Sequence, residues 1–279
     1  MKYISFTILV VLYKLRPKES KTLLSLAKCK EEMHDSYIIL RDNSPVEYNK
    51  VERESLDDIL TGLNYRYIFN GKNESLSRIY NETISGLKSE QYLVIFDHDS
   101  AFDAGFLKAA RAAILEHPQY SLYLPLVYCE KKHVSPLHLH LFKGSFWSKE
   151  RIGEIPSRHQ SAINSGMVIA GHYLKGDFPG YDERFRFYGT DNDFMWQYES
   201  LRDSFYVFPY RMHHSLDFYA KGEESFESKA RRFREIRKAL LLGMRRKRWW
   251  AYILCYIYFD IYSIKFSLLH RDRRFMFLR

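Results

Sequence analysis

Two short acidic runs hold the residues best suited to chemistry. Asp97-His98-Asp99 follows the apolar stretch Tyr92-Leu-Val-Ile-Phe96, and Asp191-Asn192-Asp193 precedes Phe194 in a run rich in aromatic and charged residues. In an extended segment residues i and i+2 point the same way, so the first run presents two carboxylates together. Such a pair suits Mg²⁺ or Mn²⁺, hard cations that take oxygen ligands and bridge phosphates. Asp97 then reaches the ribose or the metal while Asp99 holds the metal. From the second run, Asp191 suits a general base that deprotonates a hydroxyl approaching in line with a departing group. Together these tasks describe a metal-dependent transfer of a sugar from a nucleotide diphosphate. The competing expectations are plainer. An isolated Asp-x-Asp is often a solvated turn, and Asp191 and Asp193 suit N-caps of a helix over 194–201.

The elements that must position these carboxylates alternate. Residues 4–13 are apolar without alternation, as in a buried strand, and helical spacing follows over 20–30. Further strands are expected at 37–40, 65–69 and 92–96, with helices over 74–87 and 106–115. Strand–helix alternation implies an α/β fold with a mostly parallel central sheet flanked by helices. In such sheets ligands sit beyond the carboxyl ends of the strands, where Asp42, Asn73, Asp97 and Asp99 all fall. Beyond residue 121 the pattern is mixed, with strands expected at 122–128 and 167–170. Residues 226–242 suit a basic amphipathic helix.

The chain has 279 residues, 46% hydrophobic, enough for one large core or two small ones. Its net charge of +9 is unevenly placed: residues 231–279 hold 14 Lys+Arg against 3 Asp+Glu, leaving the first 230 near neutrality. Cys29, Cys129 and Cys255 are far apart and form no CxxC. They argue against a disulfide framework or a zinc site and fit a reducing compartment. Met1-Lys2 and the apolar run after it superficially resemble a signal peptide. No small-residue cleavage site is evident and Lys14, Arg16 and Lys18 follow at once, so a first strand is expected.

Several segments, in chain order, resemble the inverting family-2 glycosyltransferases of the GT-A fold, especially bacterial rhamnosyltransferase-like members. Val10-Val-Leu-Tyr13 is similar to the first strand of that family, which implies that Tyr13 contacts the base. Arg41-Asp-Asn-Ser44 resembles its base-binding turn and implies the same for Asp42. The pattern Asn73…Arg78…Asn81 resembles a segment beside the nucleotide, and Phe96-Asp-His-Asp-Ser100 resembles the metal motif. Asn164-Ser165-Gly166-Met167 is similar to a segment lining the acceptor side. The closest likeness spans Phe178-Pro-Gly-Tyr-Asp-Glu-Arg-Phe185 and Tyr188-Gly-Thr-Asp-Asn-Asp-Phe194. In Arg211-Met-His-His-Ser-Leu216 the family pattern selects His214 over His213 as a third metal ligand. The sequence departs from the family at Thr190, where a Glu is usual, at Gln197, where an Arg is common, and after Asn73, where a Gly is missing. Thr190 leaves the base role to Asp191.

The resemblance implies a GT-A catalytic domain over 1–222, and the basic, aromatic-rich residues beyond it are expected to form a helical tail over 223–279. It implies transfer to a hydroxyl of a glycan or lipid-linked glycan, in cell-surface polysaccharide synthesis, with Tyr13, Asp42, Asn73, Arg78, Asp97, Ser165, Gly166 and Asp193 on the substrates. Within the tail, the apolar run 249–259 is shorter than the ~20 residues a membrane span needs. Its aromatics stand beside Arg245-Arg246-Lys247-Arg248, which suits the interface of an anionic membrane. The expected place is therefore cytoplasmic, peripheral on the inner face of the cell membrane; packing on the core or in a homodimer is the alternative. No nucleic-acid module accompanies the basic patch. Two rival activities share the carboxylates: a nucleotidyltransferase, and an inactive scaffold of a glycan-assembly complex.

Overall fold

The computed structural model describes residues 4–214 and 225–278. The boundary expected at 222/223 lies outside them. Strand β1 (Phe6–Leu12) is buried at every position because both faces are covered. Phe6, Ile8, Val10 and Leu12 enter one core, while Leu9 and Val11 enter the other. Helix α1 (Lys21–Ala27) follows, capped by the Ser20 hydroxyl, then β2 (Tyr37–Asp42), α2 (Lys50–Ile59) and β3 (Tyr65–Phe69). Next come α3 (Leu76–Ser85), β4 (Tyr92–Asp97), β5 (Ser100–Ala101) and α4 (Ala104–Glu116). β1, β2, β3 and β4 run parallel. Helix α2 has no counterpart among the expected elements. It is polar, with only Leu56 buried, and a reciprocal Asn49–Glu52 capping box starts it.

Beyond α4 the sheet becomes mixed. β6 (Leu122–Cys129) leads to four short strands, β7 (Lys132–Ser135), β8 (Leu137–His140), β9 (Lys143–Phe146) and β10 (Gly153–Pro156). β11 (Gln160–Ser161), β12 (Val168–Ala170), α5 (Gly171–Gly176), α6 (Thr190–Leu201) and β13 (Ser204–His214) complete this half. The order across the main sheet is β10-β13-β6-β12-β4-β1-β2-β3, while β11-β8-β9 form a small second sheet. β12 is antiparallel to both neighbours, and β13 is parallel to β6. The β6–β13 register shifts between Val207 and Arg211, where Pro125 and Pro209 supply no amide hydrogens for a regular ladder. Past that irregularity β13 pairs with β5, setting His214 opposite Ser100.

The tail is a helical hairpin, α7 (Phe226–Lys247) and α8 (Trp249–His270), ending in a 3₁₀ turn at Arg273–Phe277. Both helices outrun their sequence expectations. α8 continues through Asp260 and Lys265 because those residues sit at positions where a paired or solvated charge is tolerated: Asp260 meets Arg237 of α7, and Lys265 is exposed. It is thereby long and apolar enough to cross a membrane by length and composition, in contrast to the short run expected there. The hairpin shares a third core with Phe185 and Trp196. A Cβ on Gly243 of α7 would collide with the Trp196 ring. Gly243→Ala gains about 1 kcal/mol of helix propensity, yet it must push α7 off α6. A net loss of about 1–3 kcal/mol is expected from such overpacking, read as a lower urea midpoint. A rise in midpoint would show that the contact relaxes freely.

Candidate active site

The carboxyl ends of the parallel strands bring the metal motif together. β4 ends at Asp97, which lies beside Val11 of β1, and β2 ends one strand further on at Asp42. A tight turn carries the chain from Asp97 through His98 and Asp99 into β5. Helix α1 holds that turn: the Ser20 hydroxyl donates to the His98 carbonyl at 2.8 Å, and Thr22 donates to the Asp97 carbonyl. The Ser100 amide donates back to the Thr22 hydroxyl at 3.0 Å. The motif is thus a pinned turn of polar atoms and not a solvated surface loop.

His214 arrives from β13. Its Nδ1 lies 3.2 Å from Asp99 Oδ1 and 3.2 Å from the Ser100 hydroxyl, and its Nε2 lies 3.9 Å from Asp97 Oδ2. One ligand atom from each of Asp97, Asp99 and His214 lies within 4.8 Å of the others. Two carboxylates and one imidazole form a donor set that fits Mn²⁺ or Mg²⁺. Burial pushes the Asp99 carboxyl above its usual range, the His214 ring pulls it down, and the Asp97 charge pushes it up. A divalent cation would relieve that crowding of negative charge. Neighbouring His213 points to solvent, as alternation along a strand requires. Among the described residues no other such group of His, Cys, Asp and Glu occurs. His133 and His138 lie in the small strands, where burial lowers both rings' affinity for a proton.

Asp191 stands in the first turn of α6, which begins after Gly189 without any side-chain cap. The capping expectation is therefore incorrect: Asp191 and Asp193 are inside the helix. Asp191 Oδ1 accepts the Asn192 amide at 2.7 Å. Loss of solvation raises its pKa from 3.8 to about 6, against its local amide bonds and with a further upward push from the Asp97 charge. The Asp97 charge is thus felt at Asp191. Thr190, where an acid is usual, accepts a hydrogen bond from Asn164 Nδ2 at 2.9 Å and is buried. Among the described residues Asp191 is the acid in that turn without an ion pair, since Asp193 pairs with Arg246.

Asp193, expected to contact substrate, is placed in an ion pair. It is buried, and its Oδ1 meets Arg246 Nη1 of α7 at 2.6 Å while its Oδ2 accepts from Gln197 Nε2 at 2.9 Å. Arg246 also reaches Asp182 Oδ2 at 3.3 Å, so the tail is bolted to α6 and the segment before it. Arg246→Met leaves a buried carboxylate without its counter-ion. Such losses run to about 3–5 kcal/mol for buried pairs; the Arg246 side chain is 40% exposed, so about 2–3 kcal/mol is expected. Adding Asp193→Asn should restore most of it in a denaturation cycle. An unchanged deficit in the double variant would mean that packing, not charge, holds the joint.

Other expected contacts separate in the same way. Tyr13 is 37% exposed at the end of β1, and Asn73 is exposed nearby, its Oδ1 accepting from Asn43. These two remain available to a ligand. Asp42 is fully buried, accepting from the Ser44 amide and the Tyr67 hydroxyl, so in this conformation it shapes the turn. Arg78 lies in a surface ladder with Glu74 and Glu82, its charge already compensated. Ser165 and Gly166 are buried behind Asp97. The Ser165 hydroxyl accepts from the Asp97 amide and bonds Ser100, and Gly166 holds φ +91 where a Cβ would strike Met212 and Pro125.

Two residues matter more than their sequence context suggests. Asn81 clamps the Tyr181 backbone with both amide atoms, at 2.8 and 2.9 Å, fixing the segment that leads to α6. Tyr80 is fully buried, and burial with the Asp97 and Asp191 charges raises its pKa, against a hydrogen bond with Asn164, so the phenol stays protonated.

The arrangement of sheet and flanking helices is that of the GT-A fold. Solved structures support this fold. S. aureus TarS 1–349 in complex with UDP superposes with a TM-score of 0.57 at 15% identity, covering 86% of this chain and 66% of its own. GalNAc-T7 with UDP, GalNAc and Mn²⁺ gives 0.56 at 14% identity, over 85% of this chain and 48% of its own. The mannosyltransferase PcManGT from Pyrobaculum calidifontis, in complex with GDP-Man and Mn²⁺, gives 0.52 at 10%, over 91% and 69%. The chain thus spans less than two thirds of the length of the first two. Compared as a sequence, it matches no protein-family model and no curated protein.

Proposed function

We propose that this chain is an inverting glycosyltransferase that moves a sugar from a nucleoside-diphosphate donor to an acceptor hydroxyl. The observation that carries this is the convergence of Asp97, Asp99 and His214 on one point, with the Asp97 charge felt at Asp191, in a fold shared with proteins solved with UDP or GDP-Man. Asp97, Asp99 and His214 would hold Mn²⁺ or Mg²⁺. When bound, the ion neutralises charge on the departing nucleoside diphosphate. Tyr13, exposed at the end of β1, offers a face for the base, and Asn73 an amide beside it.

Asp191 takes the proton of the acceptor hydroxyl. The acceptor oxygen then bonds to the anomeric carbon as the bond to the diphosphate breaks on the opposite face, inverting the configuration. A pKa of about 6 leaves Asp191 largely ionised at neutral pH yet basic enough to take a proton. Transfer should therefore fall on the acid side with an apparent pKa of about 6, because protonated Asp191 cannot accept. A rate unchanged from pH 7 to about 5 would remove Asp191 from the base role. The acceptor class that suits this reading is a glycan or lipid-linked glycan of the cell surface.

A further inference from the structure

Helix α8 is apolar around most of its circumference, but the protein covers only one stripe of it. Ala251, Cys255, Phe259, Ser263 and Ser267 are buried, largely against α7. On the far side Trp250, Ile253, Leu254, Ile257, Ile261, Ile264 and Leu268 are exposed at helical spacing, forming one continuous apolar band. Phe277, 78% exposed in the closing turn, extends it. Such a band needs a partner.

Charge selects the partner. Arg245 and Arg248 stand exposed where the band begins, and Arg271 and Arg273 where it ends. The excess of cations over 231–279 would set two copies of this surface against each other, whereas an anionic surface is attracted to it. Trp249 and Trp250 at the α8 start and Lys265 beside the band are residues that settle at a lipid–water boundary.

Packing selects the orientation. α7 runs antiparallel along α8: Arg237 meets Asp260 at 3.3 Å midway, Phe233 packs on Phe259 and Phe266, and Phe226 on Phe275. Were α8 to cross a bilayer, α7 would bring the exposed Arg231, Arg234 and Lys238 to the same depth, where unpaired charges are strongly disfavoured. A helix lying flat keeps those charges on the protein side. We propose that the outer band of α8, with its flanking arginines, seats the protein in the plane of a membrane surface rich in anionic lipids, with α7 as the strut between lipid and catalytic helix α6. This does not depend on the transfer reaction, since its readout is binding.

The test is flotation of the full chain with phosphatidylcholine vesicles, with and without phosphatidylglycerol. Binding to the anionic vesicles is expected at least about tenfold above the neutral ones. Ile257→Glu with Ile261→Glu should lower it at least about tenfold, with an unchanged melting curve because both side chains already face solvent. Arg245→Gln with Arg248→Gln is a second probe that leaves the apolar band intact, and it should weaken binding to the anionic vesicles alone. Alkaline carbonate should strip the bound protein. Equal binding to both vesicle types, indifference to both double variants, or resistance to carbonate would overturn the proposal, as would a dimer in solution that needs Ile257 and Ile261 but ignores vesicles.

Discussion

Asp191→Asn is expected to lower the transfer rate by about a thousandfold, the middle of the range for a general base, while donor affinity stays within about twofold. The same change should stabilise the fold. The raised pKa of about 6 means that the folded protein disfavours the charged form of Asp191. An acid whose folded pKa lies above its unfolded value penalises the fold once pH exceeds the folded pKa, and imposes no penalty below the unfolded one. A shift of roughly two units corresponds to at most about 3 kcal/mol, less what residual solvent contact screens. Asparagine retains the oxygen that accepts the Asn192 amide and removes the charge. The variant should therefore be about 1–3 kcal/mol more stable at pH 7, with the gain fading as pH falls from 6 toward 4. Urea denaturation at both pH values checks this. Lost donor affinity together with lost stability would make Asp191 a structural residue.

Metal removal has the second large effect. Excess chelator should reduce transfer to background, and Mn²⁺ should restore it. In the absence of donor, Mn²⁺ at a hundred times its Kd should raise stability by about 2.7 kcal/mol, the general value for one site. Asp99→Ala should abolish that shift. Ser100→Ala should weaken metal affinity by about 10–100-fold, the usual loss when a group that orients a ligand is removed, because the Ser100 hydroxyl touches His214 and bonds Ser165. A stabilisation by Mn²⁺ that survives Asp99→Ala would place the ion elsewhere.

The alternation of apolar strands with helices was legible as far as residue 116, and the observed parallel sheet follows it closely. Strands buried on both faces announce themselves by unbroken apolar runs. Helix α2 does not, since one buried leucine and a capping box make too faint a periodicity. The mixed half of the sheet was less legible because β6 and β13 pair across some 80 intervening residues around two prolines, a contact that local spacing cannot register.

The candidate site divides along the same line. Asp97, Asp99 and His214 were readable from motif and order, and the structure brings them together. Burial was not readable. Asp42, Ser165 and Gly166 sit in suitable segments yet face inward, and Arg78 faces outward into its ion-pair ladder. Nothing near Asp193 in sequence indicates Arg246, 53 residues on, which pairs with its carboxylate. The length of α8 was obscured by Asp260, a break in the apolar run that Arg237 compensates from the neighbouring helix.

The most direct test incubates the protein with a panel of nucleotide sugars and Mn²⁺ and identifies what leaves the donor. Release of a nucleoside diphosphate, suppressed by chelator and by Asp191→Asn with an acceptor present, is the predicted result. Release of inorganic diphosphate, or turnover undiminished in excess chelator, would contradict it.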